Sequence, residues 1–352
     1  MRRTKPFILS TIILCSFLTA CTVLKPAGLP DSHQNQTGTA ENISSQQDIL
    51  NLLLQTMYNN QNSCSFTVPD KSFINADYWL EQLPGLDSVH CEYHMWGSSC
   101  YVTANIEYWD NYPIVNAFKT GNTSALNERQ RQMYDRYCEI LYSHASASDS
   151  DLKNELAIHD YIVSHVEYEH DQNSKNRAYD ALFNHTTSCR GYTELFQTFM
   201  DMLGIQCISV TGVADGDNHI WNMVCIDNEW YHVDVTWDDP VGGGGMIRHN
   251  YFNITDADIL LNHTISSDHP PAVSTRLAYY NVLHYPLFSS QTEVDTYLYS
   301  QVKSRAASCN FQARNFSPDI RGALSRCGVP VTYRVITTAR TSYSTYALSF
   351  EY

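Results

Sequence analysis

A chain of 352 residues with 22 Lys and Arg against 37 Asp and Glu carries a formal charge of −15. So large an acidic excess, without a cluster of basic residues, excludes a nucleic-acid partner, because binding a phosphate backbone takes many cations on one face. The composition is otherwise globular and rich in tyrosine, and the length suits one large or two smaller domains.

Arg2, Arg3 and Lys5 precede an apolar run over 7–18 that is too short to span a bilayer, and LTAC follows at 18–21. LTAC resembles the bacterial lipobox. The resemblance implies that residues 1–20 are a lipoprotein signal peptide, removed so that Cys21 becomes the lipid anchor. The protein is then expected to be exported and held on the bacterial cell membrane, facing outside. Removal of the leader takes away three basic residues, so 22 − 37 = −15 becomes 19 − 37 = −18. Residues 21–47, polar and rich in Gly, Ser, Thr, Gln and Asn, read as a flexible tether.

Residues 48–145 form an N-terminal region without a functional motif. A helix is expected near 46–60, a strand in YVTANIEYW at 101–109 and a helix near 126–143. HCEYH at 90–94 has the spacing of a helical metal pair, but Glu92 fits neither zinc-protease pattern, and no metal is expected. SHASASDSD at 143–151 is a connector, and the acidic Asp151 and Glu155 favour a helix start beyond it. Apart from Cys15, Cys21 and Cys189, eight cysteines remain. Cys91–Cys100 and Cys309–Cys327 would close short loops if oxidised, although sequence does not fix connectivity.

HTTSCRGYTELF at 185–196 places a cysteine at the start of a helix. Tyr192, Leu195, Phe196, Phe199 and Leu203 recur at helical spacing, Thr187 or Ser188 can cap, and Gly204 closes. At a helix start the unpaired N–H groups and the dipole favour a thiolate, the nucleophilic form of cysteine. Beyond this helix the period changes to two, with strands in ISVTGV (208–213), HIWNMVCI (219–226) and EWYHVDVTW (229–237). Asp227 and Asn228 alone separate the last two, as in a two-residue hairpin. Pairing 226 with 229 sets Trp221 against Asp234 and His219 against Thr236. His219 and Asp234 thus become diagonal neighbours on one face, with Trp221 and Trp230 on that face too. A thiol, a histidine to take its proton and a carboxylate to hold the imidazole form a nucleophile, base and orienter. His232 is a rival base on that face, but stands two residues from Asp234 on the same strand and near the turn.

The succession SCRGYTELFQTFMDMLGI, NHIWNMVCIDNEWYHVDVTWDDP and HNYFNIT, with the lead-in AIHDYIVSHVEYEHDQ and AYDALFNHTTS, resembles the bacterial branch of the transglutaminase-like superfamily over about 150–265. The resemblance implies a papain-like α+β fold, its nucleophile helix packed on an antiparallel β-sheet. It implies Cys189 as nucleophile, His219 as base and Asp234 as orienting acid. Trp221, Asn222, Trp230, Trp237 and Asp238 match structural or cleft-lining positions, with Trp221 and Trp230 singled out as cleft-lining. A papain-type order is excluded, since no histidine follows His284, and a caspase-type order using His144 lacks its glutamine. The tryptophan that animal transglutaminases place upstream of the cysteine is missing between Trp109 and Trp221, so the oxyanion donors expected are the N–H of Cys189 and Tyr168. GGGG at 242–245 lacks the P-loop Lys and reads as a mobile loop.

The expectation is a catalytic domain over 146–268, a C-terminal extension over 269–352, and no cofactor. The chemistry is acyl transfer on a peptide or protein substrate, cell-wall material included, through a cysteine thioester. Hydrolysis is the leading outcome. A cross-linking transamidase and an inactive binding module are the alternatives.

Overall fold

The computed structural model describes residues 41–352 apart from 84, 170–176, 240–246 and 341–342. The leader with Cys21, most of the expected tether and the GGGG segment lie outside the described residues. None of the described helices is long and apolar enough to cross a membrane. The chain divides into two compact units, residues 1–209 and 210–352.

The first unit opens with a sheet in the order β1-β2-β4-β3, made of β1 (Glu41–Asn42), β2 (Ser63–Val68), β3 (Leu86–Trp96) and β4 (Ser99–Tyr108). Glu41 and Asn42 pair in parallel with Phe66 and Thr67, so the tether expected through residue 47 ends earlier. Ser45 then caps α1 (Gln46–Tyr58) in a reciprocal box with Asp48, and this helix buries Ile49, Leu50, Leu53 and Met57. HCEYH lies in β3 and not in a helix. Strand rise sets residues four apart at roughly 13 Å, beyond the reach of a shared ion. In the β3/β4 hairpin Cys91 faces Ala104 and Cys100 faces Met95, an offset that no disulfide spans. All nine described cysteines are unbridged, Cys309 and Cys327 included.

Helices follow: α2 (Ala76–Gln82) lies between β2 and β3, and α3 (Asn111–Thr120), α4 (Glu128–His144) and α5 (Asp151–His165) come after the sheet. Asn127 and Ser150 cap the last two, and the serine-rich segment connects them, as its composition predicts. After α6 (Arg177–Phe183), the helix α7 (Cys189–Leu203) packs against α3, α5 and α6. Its burial exceeds the single stripe expected: Thr193, Glu194 and Thr198 are enclosed along with Tyr192, Leu195, Phe196 and Phe199. Gly191 permits this. A Cβ there would come within 1.9 Å of Thr187 Oγ1 and 2.8 Å of the Arg177 carbonyl, so the first turn of α7 can sit this close only as glycine.

The second unit holds a sheet in the order β10-β7-β8-β9, built from β7 (Gln206–Ala214), β8 (Asp217–Ile226), β9 (Glu229–Val233) and β10 (His263–Ile265). The unit boundary falls within β7. Asp227 and Asn228 both adopt positive φ, at 54° and 63°, and Ile226 pairs with Glu229 in the predicted hairpin register. The ladder stops at Asn222↔Val233, however, so the strand expected to 237 is too long. Asp234 leaves the sheet and accepts from Trp237 N at 3.1 Å, capping a single helical turn, α8 (Val235–Asp238). A side chain that can cap competes with the ladder for the backbone, and here it wins. Further on, β11 (Leu287–Phe288), α9 (Gln291–Lys303), β12 (Ser308–Ala313), α10 (Ile320–Arg326), β13 (Thr332–Ala339) and β14 (Ser344–Glu351) build a separate core around Leu298, Phe311, Leu324 and Leu348. Its sheet runs β11-β12-β14-β13.

Candidate active site

Cys189 occupies the first position of α7 and is half-buried. Ser188 stands at the N-cap with extended φ and ψ, yet its side chain makes no capping bond, and Thr187 Oγ1 instead donates to the Arg177 carbonyl at 3.0 Å. The N-cap side chain therefore does not compete for the dipole end at the cysteine. Tyr168, the expected second oxyanion donor, lies in β5 (Glu167–Tyr168), paired in parallel with Thr187 of β6 (Thr186–Thr187). The pairing brings its backbone level with the residue two before Cys189.

In the second unit His219 and Asp234 meet. His219 Nε2 lies 2.7 Å from Asp234 Oδ2, with Asp234 fully buried and His219 nearly so. The hairpin register carries the two side chains to one face although Asp234 itself is off the ladder. The ring of His219 stacks on Trp221 at 5.7 Å between centroids and 17° between planes, which holds its tilt. Trp221 is buried beside the histidine, while Trp230, the other tryptophan expected at a cleft, is half-buried.

Asp234 receives a third donor that sequence reasoning missed. His263 Nε2 lies 3.1 Å from the same Oδ2, and its ring is fully buried against Trp237. With Trp237 N on Oδ1, the carboxylate accepts from two imidazoles and one amide. Burial pushes its pKa up, but the charge and hydrogen bond of His219 and then His263 prevail, holding it well below the usual carboxylate range. His263 belongs to a three-residue strand paired with Ala214, a contact with no local signal.

His232, the rival base, is engaged at both ring nitrogens. Trp221 Nε1 donates to its Nδ1 at 3.0 Å and its Nε2 lies 2.9 Å from Asp256 Oδ1. An indole can only donate, so Nδ1 must accept and Nε2 must carry the proton. Burial pulls its pKa down to about 4 despite Asp256, which keeps the ring neutral at pH 7. Its one acceptor atom is thus occupied, and it is unsuited to receiving a proton from a thiol.

Among the described residues of the second unit, two donor sets bring ligand atoms within 4.8 Å of one another: His219, Asp234 and His263, and His232, Asp256 and His269. In the second, the proton that Trp221 imposes on His232 Nε2 blocks coordination through that atom. In the first, both imidazoles are directed at one carboxylate oxygen, the arrangement of two N–H donors on a shared acceptor.

Residues 141–235 match the model of the transglutaminase-like superfamily. That stretch is a transglutaminase-like domain, and the fold around it is α+β with antiparallel sheets. Members of the superfamily are usually cysteine-dependent enzymes. The kyphoscoliosis peptidases of Mus musculus and Homo sapiens are each 29% identical to this chain over 126 residues. The match covers 31% of this chain and 18% of each peptidase, so the chain spans less than a fifth of the length of these curated relatives. A solved TGase is 18% identical, covering 49% of this chain and 51% of its own at a TM-score of 0.28. A structure titled as a candidate cysteine protease from Cytophaga hutchinsonii is 15% identical, covering 61% and 82%, also at 0.28.

Proposed function

We propose that the transglutaminase-like domain is a cysteine-dependent amide hydrolase acting on peptide or protein substrates. Cys189 is the nucleophile, His219 the base and Asp234 its orienter. The observation that carries this reading is the buried 2.7 Å pair of His219 Nε2 and Asp234 Oδ2. With Nε2–H on the carboxylate, the ring takes a proton through Nδ1. The thiol proton passes there, sulfur bonds to the amide carbonyl carbon, and the C–N bond breaks as the imidazolium protonates the leaving amine. The backbone N–H of Cys189 and Tyr168 are assigned to the oxyanion. Water then cleaves the thioester, giving acid product and restoring the thiol. Hydrolysis is preferred to transamidation because the acidic chain attracts lysine in its charged, non-nucleophilic form, and because the curated relatives carry the name peptidase.

The test incubates wild type and Cys189→Ala with a glutamine-containing acceptor protein plus a labelled primary amine, and separately with peptide amides. Cys189-dependent acid release is expected. Amine incorporation in its place would establish a transamidase, and inertness of both proteins towards a thiol-directed acylating probe would leave a binding module. The same reading holds the protein to be exported and anchored on the outer face of the cell membrane through acylated Cys21. Cys21→Ser should then release it from the membrane fraction.

A further inference from the structure

Next to Cys189 the first unit gathers more positive charge and more N–H donors than it uses. Arg177 grips Asp87 with its fork, Nη1 and Nη2 each 3.0 Å from Oδ2. That pairing already satisfies the carboxylate. Arg190 nevertheless turns to the same residue, its Nη2 donating to Asp87 Oδ1. Its guanidinium also lies 5.8 Å from the centre of the Trp109 ring. Two guanidinium ions share one carboxylate and repel each other, a costly arrangement for a mere tie between β3 and the helices. Nearby carboxylates do not redress the balance. Asp110 is paired with Arg129, and burial pushes Glu194 up to about 7, which weakens it as a counter-charge. The donors are in surplus too. Among the described residues, Arg190 Nε and Trp109 Nε1 are buried without a hydrogen-bond partner. Arg190 is the outermost of the group, with 37% of its side chain exposed against 17% for Arg177 and 20% for Asp87. It follows Cys189 directly and lies within electrostatic reach of the thiol.

We propose that Arg190, backed by Arg177 and Asp87, is an anion-recognition subsite that selects acyl donors bearing a carboxylate close to the amide carbonyl attacked by Cys189. The inference rests on Cys189 being the nucleophile. A planar guanidinium already aligned by Asp87 and partly exposed suits a carboxylate. In a chain of charge −15 a local excess of cation also makes acidic substrates acceptable where the rest of the surface repels them.

The experiment compares alkylation of Cys189 in the full chain by iodoacetate, which is anionic, and iodoacetamide, which is neutral and of similar size, read by peptide mass spectrometry. Both reagents need the thiolate, so the ratio of their rates cancels any change in thiolate fraction and reports the local field alone. Arg190→Gln should lower the iodoacetate-to-iodoacetamide ratio about fivefold, as one unit charge at roughly 8 Å in a half-solvated site would. Arg190→Lys should retain most of the ratio. Wild type in 1 M salt should approach the Arg190→Gln value, a check that needs no variant to fold. A ratio unchanged by Arg190→Gln and insensitive to salt overturns the proposal and leaves a structural clamp. If iodoacetamide labels Cys189 no faster than the other cysteines, it is the nucleophile assignment that fails, whatever the ratio.

Discussion

Two buried carboxyl groups, one in each unit, show opposite behaviour. Glu194, on the helix that carries Cys189, is enclosed with one backbone donor, Ala178 N at 3.3 Å, and burial drives its pKa up to about 7. Asp234, in the second unit, is buried as completely, yet two imidazoles and a backbone amide hold it ionised. Burial alone therefore does not decide the charge of a carboxyl group; the number and charge of its donors do. Glu194 is suited to helix packing, whereas Asp234 keeps a fixed negative charge where an imidazole must be oriented.

The sharpest test of this contrast removes the charge at each place. Asp234→Asn should lower Cys189-dependent amide hydrolysis on the order of 10³-fold or more, since the imidazole loses its orienting acceptor. Glu194→Gln should alter it only a few-fold. Equal losses in steady-state assays would mean the two carboxyl groups are not functionally distinct.

Glu194 provides the next largest effect, on stability. Its pKa in the folded chain, about 7, lies above its usual 4.5, so the native state binds the proton more tightly. The contribution is full below about 4.5 and is lost as pH rises through 7, up to about 3 kcal/mol. Asp201 is likewise pushed up to about 7 by burial, so thermal melts at pH 5 and pH 8 should show a smaller loss in Glu194→Gln than in wild type, not its disappearance. An identical slope in both proteins would remove Glu194 as its source.

Asp234 predicts the opposite limb. Its lowered pKa contributes stability above its unfolded value, and that stability is lost as pH falls through the folded one. His263→Gln removes one of its imidazole donors, should cost about 1.5–3 kcal/mol at neutral pH, and should move acid unfolding to higher pH. An unshifted acid midpoint would show that His219 and Trp237 N suffice.

The smallest effect concerns His232. Trp221→Phe deletes the indole donor to Nδ1 and opens that nitrogen to protonation, so the ring's titration by NMR should rise above about 4. A titration that stays put would assign the depression to burial alone.

Sequence by itself determined the local features of this protein. Caps at Ser45, Asn127 and Ser150, the helical period after Cys189, and the left-handed pair Asp227 and Asn228 follow from side-chain chemistry within a few residues. The hairpin register that aligns His219 with Asp234 follows from its two-residue turn. Even there the end of the strand was misplaced, because Asp234 could either continue the ladder or cap a helical turn, and local pattern does not rank these. Tertiary structure alone decided that His263, 29 residues beyond Asp234, shares its oxygen, and that Asp87 lies between Arg177 and Arg190. It also silenced His232, through an indole and a carboxylate from different elements. The physical reason is range: capping and turn preferences act over about four residues, whereas the donors that set a buried charge come from wherever the chain folds back.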